Sequence, residues 1–280
     1  MKSYHQLSEA LDHATQLLAQ ADTLLLTAGA GMSVDSGLPD FRGPEGLWRA
    51  YPKLAQTGLR FEQLANPSSF ERDPGMAWAF YGHRLESYRS TEPHLGYNKL
   101  LQLLAAKSDA GFVVTSNVDG AFQKAGFQES RVYEIHGSIH HLQCCAPCGN
   151  AIWPATGVVI EIEQERFSAA GALPMCPRCG ALARPNILLF SDWNWVADRS
   201  ELQRSRFNDW LAGISAEARG VVILEIGAGT AVPSIRHFSE EVSRRLSAPL
   251  IRINPGEPQC TLAGSVSLPL RALDALNRIV

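Results

Sequence analysis

Over residues 5–20 the apolar positions Leu7, Ala10, Leu11, Ala14, Leu17 and Leu18 recur three and four apart, which is the spacing of one helical face. The pattern then changes. Residues 21–27, 111–115, 131–135, 185–190, 220–226 and 249–253 form short apolar runs bounded by turn formers, and they predict strands rather than helices. The unbroken run Val221-Val222-Ile223-Leu224 is of the kind covered on both faces in a parallel sheet. Helices are expected around 97–106, 199–213 and 234–246, so strands and helices alternate in an α/β arrangement. Residues 44–93 differ, because Pro44, Pro52, Pro67, Pro74 and Pro93 cut them into short pieces. Between the last two prolines, Met76, Ala79, Phe80, His83, Arg84, Ser87 and Tyr88 space out a helix. This segment reads as a helical insertion. No repeat of solenoid period is visible.

Composition narrows the function classes. The 280 residues are 45% hydrophobic and 19% charged, enough for one large α/β domain and a small module. The net charge of −3 comes with no lysine- or arginine-rich block, which speaks against nucleic acid or an anionic membrane as partner. No apolar run reaches about 18 residues, and the polar start Met1-Lys2-Ser3-Tyr4-His5-Gln6 is not a signal peptide. Five of the six cysteines fall between Cys144 and Cys179, a clustering that favours metal binding over disulfides and a cytoplasmic location.

Three groups of residues carry candidate chemistry. The strand at 21–27 runs into Ala28-Gly29-Ala30-Gly31-Met32-Ser33-Val34, where bare backbone N–H groups can approach a pyrophosphate and the Ser33 hydroxyl can reach a ribose or phosphate. Val34 replaces the third glycine of the usual dinucleotide fingerprint, so an ordinary strand-to-helix turn is the competing reading. Asp40-Phe41-Arg42 adds a carboxylate, an aromatic ring and a cation on a shaped loop. Cys145–Cys148 and Cys176–Cys179 form two C-x-x-C knuckles, each followed by a glycine and separated by 27 residues, compatible with a structural four-thiolate zinc site. A redox pair is the alternative. Cys144 could compete as a ligand, and Cys260 reads as a small core residue. His136 follows a strand and precedes a glycine, and an imidazole suits proton removal at neutral pH. His140 and His141 lie so close that position alone does not single it out.

The string from Ala28 to Gly43 resembles the dinucleotide loop of the sirtuins, the NAD-dependent protein deacylases, and the resemblance extends from Leu24 to Asn254. Val132-Tyr133-Glu134-Ile135-His136-Gly137-Ser138 is similar to the segment carrying that family's catalytic histidine. Asn117 and Asp119 match a Thr-Gln-Asn-x-Asp motif that lines the ribose and nicotinamide pocket, with Ser116 in place of glutamine. The resemblance implies NAD contacts from Gly29, Ala30, Gly31, Ser33, Asp40, Phe41, Arg42, Ser116, Asn117 and Asp119. Further contacts would come from Gly227, Gly229 and Thr230 in place of a Gly-Thr-Ser turn, and from Asn254, assisted by Glu257. Ser191-Asp192 stands where the family has Gly-Glu at the peptide-docking edge, and these two are expected to meet the substrate. Tyr81 and Arg84 resemble the Tyr-x-x-Arg pair of sirtuins that remove negatively charged acyl groups, with Ala65 as the small residue that leaves space. A chance pair on a helix surface is the alternative. The tryptophans of the 191–195 loop could instead close over the same channel and favour an apolar acyl group.

The fold so implied is α/β: a Rossmann-like parallel sheet with a small zinc-binding module and a helical insertion. The NAD-binding domain would comprise 1–43, 94–142 and 184–280, the insertion 44–93 and the zinc module 143–183. The implied reaction transfers the acyl group of a modified lysine in a protein or peptide to NAD-derived ADP-ribose and releases nicotinamide, with His136 as base and Asn117 and Asp119 beside it. One structural zinc does no chemistry. Two other readings stay open: transfer of ADP-ribose to a protein or to water on the same fold, and a non-catalytic NAD sensor.

Overall fold

The computed structural model describes residues 2–39, 60–217 and 219–280. After the helix Lys2–Gln20 come β1 (Thr23–Ala28), β2 (Phe112–Thr115) and β3 (Val132–Glu134). A second group follows: β4 (Gly137–Cys144), β5 (Ile152–Pro154), β6 (Glu161–Glu163), β7 (Ser168–Ala170) and β8 (Ala183–Ile187). The chain then returns with β9 (Val221–Ile226), β10 (Leu250–Ile253) and β11 (Val266–Leu268). Six strands form a parallel sheet in the order β11-β10-β9-β1-β2-β3. Every residue of β1, β2, β9 and β10 is buried, the physical reason that these strands read as unbroken apolar runs.

The pleat of β1 divides its side chains between two cores. Leu24, Leu26 and Ala28 join the core that holds Ala14 and Leu18, the helix Leu95–Ala105 and the C-terminal helix Ala272–Ile279. Leu25 faces the opposite core, filled by Phe207, Trp210 and Leu211 of the helix Asp198–Ala216 and by Ile235 and Val242 of the helix Ser234–Leu246. Burial of each such leucine contributes about 1.5–3 kcal/mol. β11 and the last helix are additions to the sequence reading; Val266-Ser267-Leu268 is too short a run to stand out.

Strand order reverses between β1 and β9, and a sheet of this type opens a crevice beyond the carboxyl ends of those two strands. The turns that leave them pack backbone to backbone. Gly31 N donates to Gly227 O at 3.0 Å. A Cβ on Gly29 would lie 2.6 Å from Gly227 O, and one on Gly31 would lie 2.7 Å from Gly227 Cα. Gly227 itself has φ +66°. These glycines are needed for contact between the two turns, beyond the approach of a ligand to bare backbone.

β5, β4 and β8 form an antiparallel sheet, and β6 pairs with β7. This second layer runs from Gly137 to Ile187, wider than the 143–183 expected, and the strand expected over 185–190 ends at Ile187. The helix Pro74–Ser90 packs on it. Asp73 caps that helix by accepting from Met76 N at 2.9 Å, and Trp78 Nε1 donates to Ala183 O at 3.0 Å. Of the insertion expected over 44–93, residues 44–59 lie outside the described residues. Among the described residues no helix is long and apolar enough to cross a membrane.

Candidate active site

A cavity of about 280 Å³ opens at the crevice between the two layers. From the large sheet, Ala30, Ser33, Ser116, Asn117 and Asp119 line it; from the second layer and the helical segment come Ala65, Tyr81, Arg84, Tyr88, Leu189 and Phe190. His136 lines it between the two groups.

On the large-sheet side the polar groups hold one another in place. The Ser33 hydroxyl donates to Asp119 Oδ2 at 2.6 Å and lies 3.1 Å from the Tyr97 hydroxyl. Asp119 Oδ1 accepts from Ala121 N at 3.0 Å. Burial, with the Asp119 charge adding to it, holds the Tyr97 hydroxyl far above its ordinary pKa. The Asn117 amide donates to Gly29 O at 3.0 Å, while its buried Oδ1 has no hydrogen-bond partner among the described residues. A buried acceptor on a cavity wall calls for a donor from a ligand, and the carboxamide and ribose hydroxyls of NAD supply such donors. Tyr97 was not legible as part of this group, because only the fold brings its helix against Ser33.

His136 occupies the junction of the two layers. Ile135 N donates to Thr115 O at 2.9 Å on the large-sheet side, and Leu188 N donates to His136 O at 3.0 Å on the other. Gly137, with φ +76°, makes the turn into β4, and a Cβ there would lie 2.2 Å from Asn186 O. The neighbouring histidines face elsewhere: His140 Nε2 lies 2.8 Å from Asp119 O, and burial pushes the His141 imidazole down to about 4. Only His136 of the three lines the cavity.

Tyr81 and Arg84 are not a helix-surface pair. They are 1% and 7% exposed and line the cavity beside the buried Ala65. Burial pushes the Tyr81 hydroxyl up to about 12, so it stays a donor at neutral pH, and its oxygen has no hydrogen-bond partner among the described residues. Neither Trp193 nor Trp195 lines the cavity; Trp193 is 94% exposed.

Two expectations are corrected. Asp192 does not present its carboxylate at the surface: it pairs with Arg184 at 2.8 Å, with the side chains 0% and 2% exposed, and accepts from Leu189 N and Asn194 N. Ser191, at φ +56°, makes the turn that sends Asp192 inward, and neither residue lines the cavity. The thiolate set is also different. Cys144, Cys148, Cys176 and Cys179 bring their sulfurs within 4.8 Å of one another, with Cys144–Cys179 at 3.5 Å and Cys148–Cys176 at 3.7 Å. Cys145 is outside the cluster. Adjacent residues at a strand end point to opposite sides, and the Cys145 thiol packs against the core of the second layer instead. The 3.5 and 3.7 Å pairs are close to the edge of about 3.8 Å of a tetrahedron with Zn–S bonds of about 2.3 Å, and four thiols gathered within 4.8 Å of one another fit a closed zinc site.

The second glycine turn is braced from below. Asn254 donates to Ala228 O at 2.9 Å, and Thr230 N donates to Glu257 Oε2 at 2.8 Å. The Thr230 hydroxyl also bonds the Glu257 carboxylate, which it holds below the ordinary range. Gly227, Gly229, Thr230 and Asn254 flank the crevice without lining the described cavity. Asp40, Phe41 and Arg42 lie outside the described residues.

The Sir2 family model matches residues 29–205. An NAD-dependent protein deacylase of Thermococcus kodakarensis is 36% identical over 185 residues, 65% of this chain and 65% of that protein. NAD-dependent protein deacylase 2 of Pyrobaculum aerophilum is 30% identical over 269 residues, 96% of this chain and 94% of that protein. A solved Sir2 homologue–NAD complex superposes with a TM-score of 0.67 at 25% identity, over 95% of this chain and 90% of that one.

Proposed function

The chain belongs to the Sir2 family, and from that premise we propose that it is an NAD-dependent protein lysine deacylase with a preference for acyl groups that end in a carboxylate. The observation that carries this reading is one cavity lined by His136, by Asn117 and Asp119, and by Tyr81 and Arg84. NAD, when bound, supplies the nicotinamide–ribose bond that breaks and the ribose that receives the acyl group. The chain's own groups do the rest. Asn117 Oδ1 accepts from the ligand, and the Ser33–Asp119–Tyr97 group fixes the pocket floor. His136 takes a proton from a ribose hydroxyl at an imidazole nitrogen, and Arg84 with Tyr81 meets the acyl carboxylate. Zinc held by Cys144, Cys148, Cys176 and Cys179 would stabilise the second layer and take no part in the chemistry. Metal-type use of four cysteines supports a reducing compartment, and the reading places the protein in the cytoplasm.

Incubation with NAD and acetyl- or succinyl-lysine peptides, followed by mass spectrometry, tests the proposal. O-acyl-ADP-ribose is the expected product; free ADP-ribose or a modified protein without deacylated peptide would replace this reading by hydrolysis or ADP-ribosyl transfer. For acyl choice, kcat/KM should be higher on succinyl- than on acetyl-lysine. Arg84→Met should then remove about 1.5–3 kcal/mol of that selectivity, the usual contribution of a hydrogen bond to a charged group.

A further inference from the structure

A third side chain belongs to the acyl end of the cavity. Tyr88 stands one turn beyond Arg84 and two beyond Tyr81, on the same face of the helix Pro74–Ser90, and it lines the cavity with them. Arg84 donates to the Tyr88 hydroxyl oxygen twice, from Nη2 at 2.7 Å and from Nε at 3.2 Å. One edge of the guanidinium is thereby committed to a single oxygen. The rings of Phe80, Tyr81 and Tyr88 lie 5.3, 5.8 and 5.5 Å from the guanidinium carbon, so the cation sits among aromatic faces. Ring faces attract a cation but set its rotation about its own plane only loosely. A hydrogen bond from two donors on one edge sets it firmly.

We propose that Tyr88 is a specificity-determining positioning residue, whose hydroxyl holds the Arg84 guanidinium so that Arg84 and the Tyr81 hydroxyl together meet the terminal carboxylate of the acyl chain. The proposal rests on the reading of this cavity as a site for charged acyl groups. Without the Tyr88 oxygen, Arg84 keeps its charge and its burial but loses the two-donor contact along its Nε–Nη2 edge. The carboxylate then has to fix the guanidinium when it binds, at an entropic cost that a neutral acyl group does not meet. The effect therefore falls on the binding of one substrate class.

Tyr88→Phe deletes the oxygen and keeps the ring. kcat/KM is measured on succinyl- and acetyl-lysine peptides for wild type, Tyr88→Phe, Arg84→Met and the double variant. Tyr88→Phe is expected to lower the succinyl-to-acetyl ratio about tenfold, through KM for the succinyl substrate rather than kcat. The double variant should match Arg84→Met alone, because Tyr88 acts through Arg84. An unchanged ratio in Tyr88→Phe, an equal fall on both substrates, or additive effects in the double variant would overturn the inference while a preserved Arg84 effect leaves the charged-acyl reading standing. A wild type with no preference for the succinyl substrate overturns that reading and this inference with it.

Discussion

His136 is held by its neighbours on both sides. Ile135 is tied to β2, the His136 carbonyl is tied to Leu188, and Gly137 turns the chain into the second layer. These contacts are made by backbone and do not depend on the imidazole. His136→Ala is expected to lower deacylation of an acyl-lysine peptide by ~10²–10⁴-fold, the range for loss of a general base. NAD affinity by calorimetry should stay close to wild type. Turnover near the wild-type rate would remove His136 from the chemistry.

At the scale of elements, the loop that follows β8 depends on one buried ion pair. Asp192 accepts from Arg184 and from two loop N–H groups, while Asn186 donates to Val196 O at 2.8 Å and Gln143 donates to Asn194 O at 2.8 Å. Asp192→Asn leaves the Arg184 charge buried with no carboxylate. A loss of about 3–5 kcal/mol in urea denaturation is expected, the usual result of removing one member of a buried pair. The zinc layer separates two neighbours that one residue of register distinguishes. Cys144→Ser should abolish stoichiometric zinc, whereas Cys145→Ser should keep one zinc per chain by metal analysis; the reverse outcome would restore the C-x-x-C set. Strand β3, whose end leads to His136, has its outer edge covered by one helix. Glu134 N donates to Gln203 Oε1 at 3.0 Å, Ser200 Oγ donates to Glu134 O at 2.7 Å, and Arg199 pairs with the Glu134 carboxylate at 2.6 Å.

Across the whole molecule, acid should destabilise the fold through its buried histidines. Burial lowers the pKa of His94 and His141 below the ordinary imidazole value. His94 Nδ1 accepts from Gly96 N at 3.0 Å at the start of the helix Leu95–Ala105, a bond that a protonated Nδ1 cannot accept. Above about pH 6.5 these rings are neutral in both the folded and the unfolded chain. Below it the unfolded chain takes up protons that the folded chain resists, so stability falls as pH falls toward about 4, the pKa of His141. Thermal midpoints at pH 7.5, 6 and 5 should decrease in that order; a flat profile would contradict the assignment.

The sequence by itself determined the α/β class, the parallel strands and the helix at 234–246. Burial on both faces of a sheet forces unbroken apolar runs, and the turns that end them carry glycine. It also determined that thiolates cluster for a metal, since five of the six cysteines fall between Cys144 and Cys179. What it left open was settled by groups distant in the chain. The pleat at the end of β4 chose Cys144 over Cys145. Arg184, eight residues before Asp192, turned a presumed docking residue into a buried counter-ion. Packing of the helix Pro74–Ser90 against the second layer placed Tyr81, Arg84 and Tyr88 inside a cavity with His136. A helical spacing of three and four fixes which residues share a face, but the partner that covers that face is a property of the tertiary structure alone.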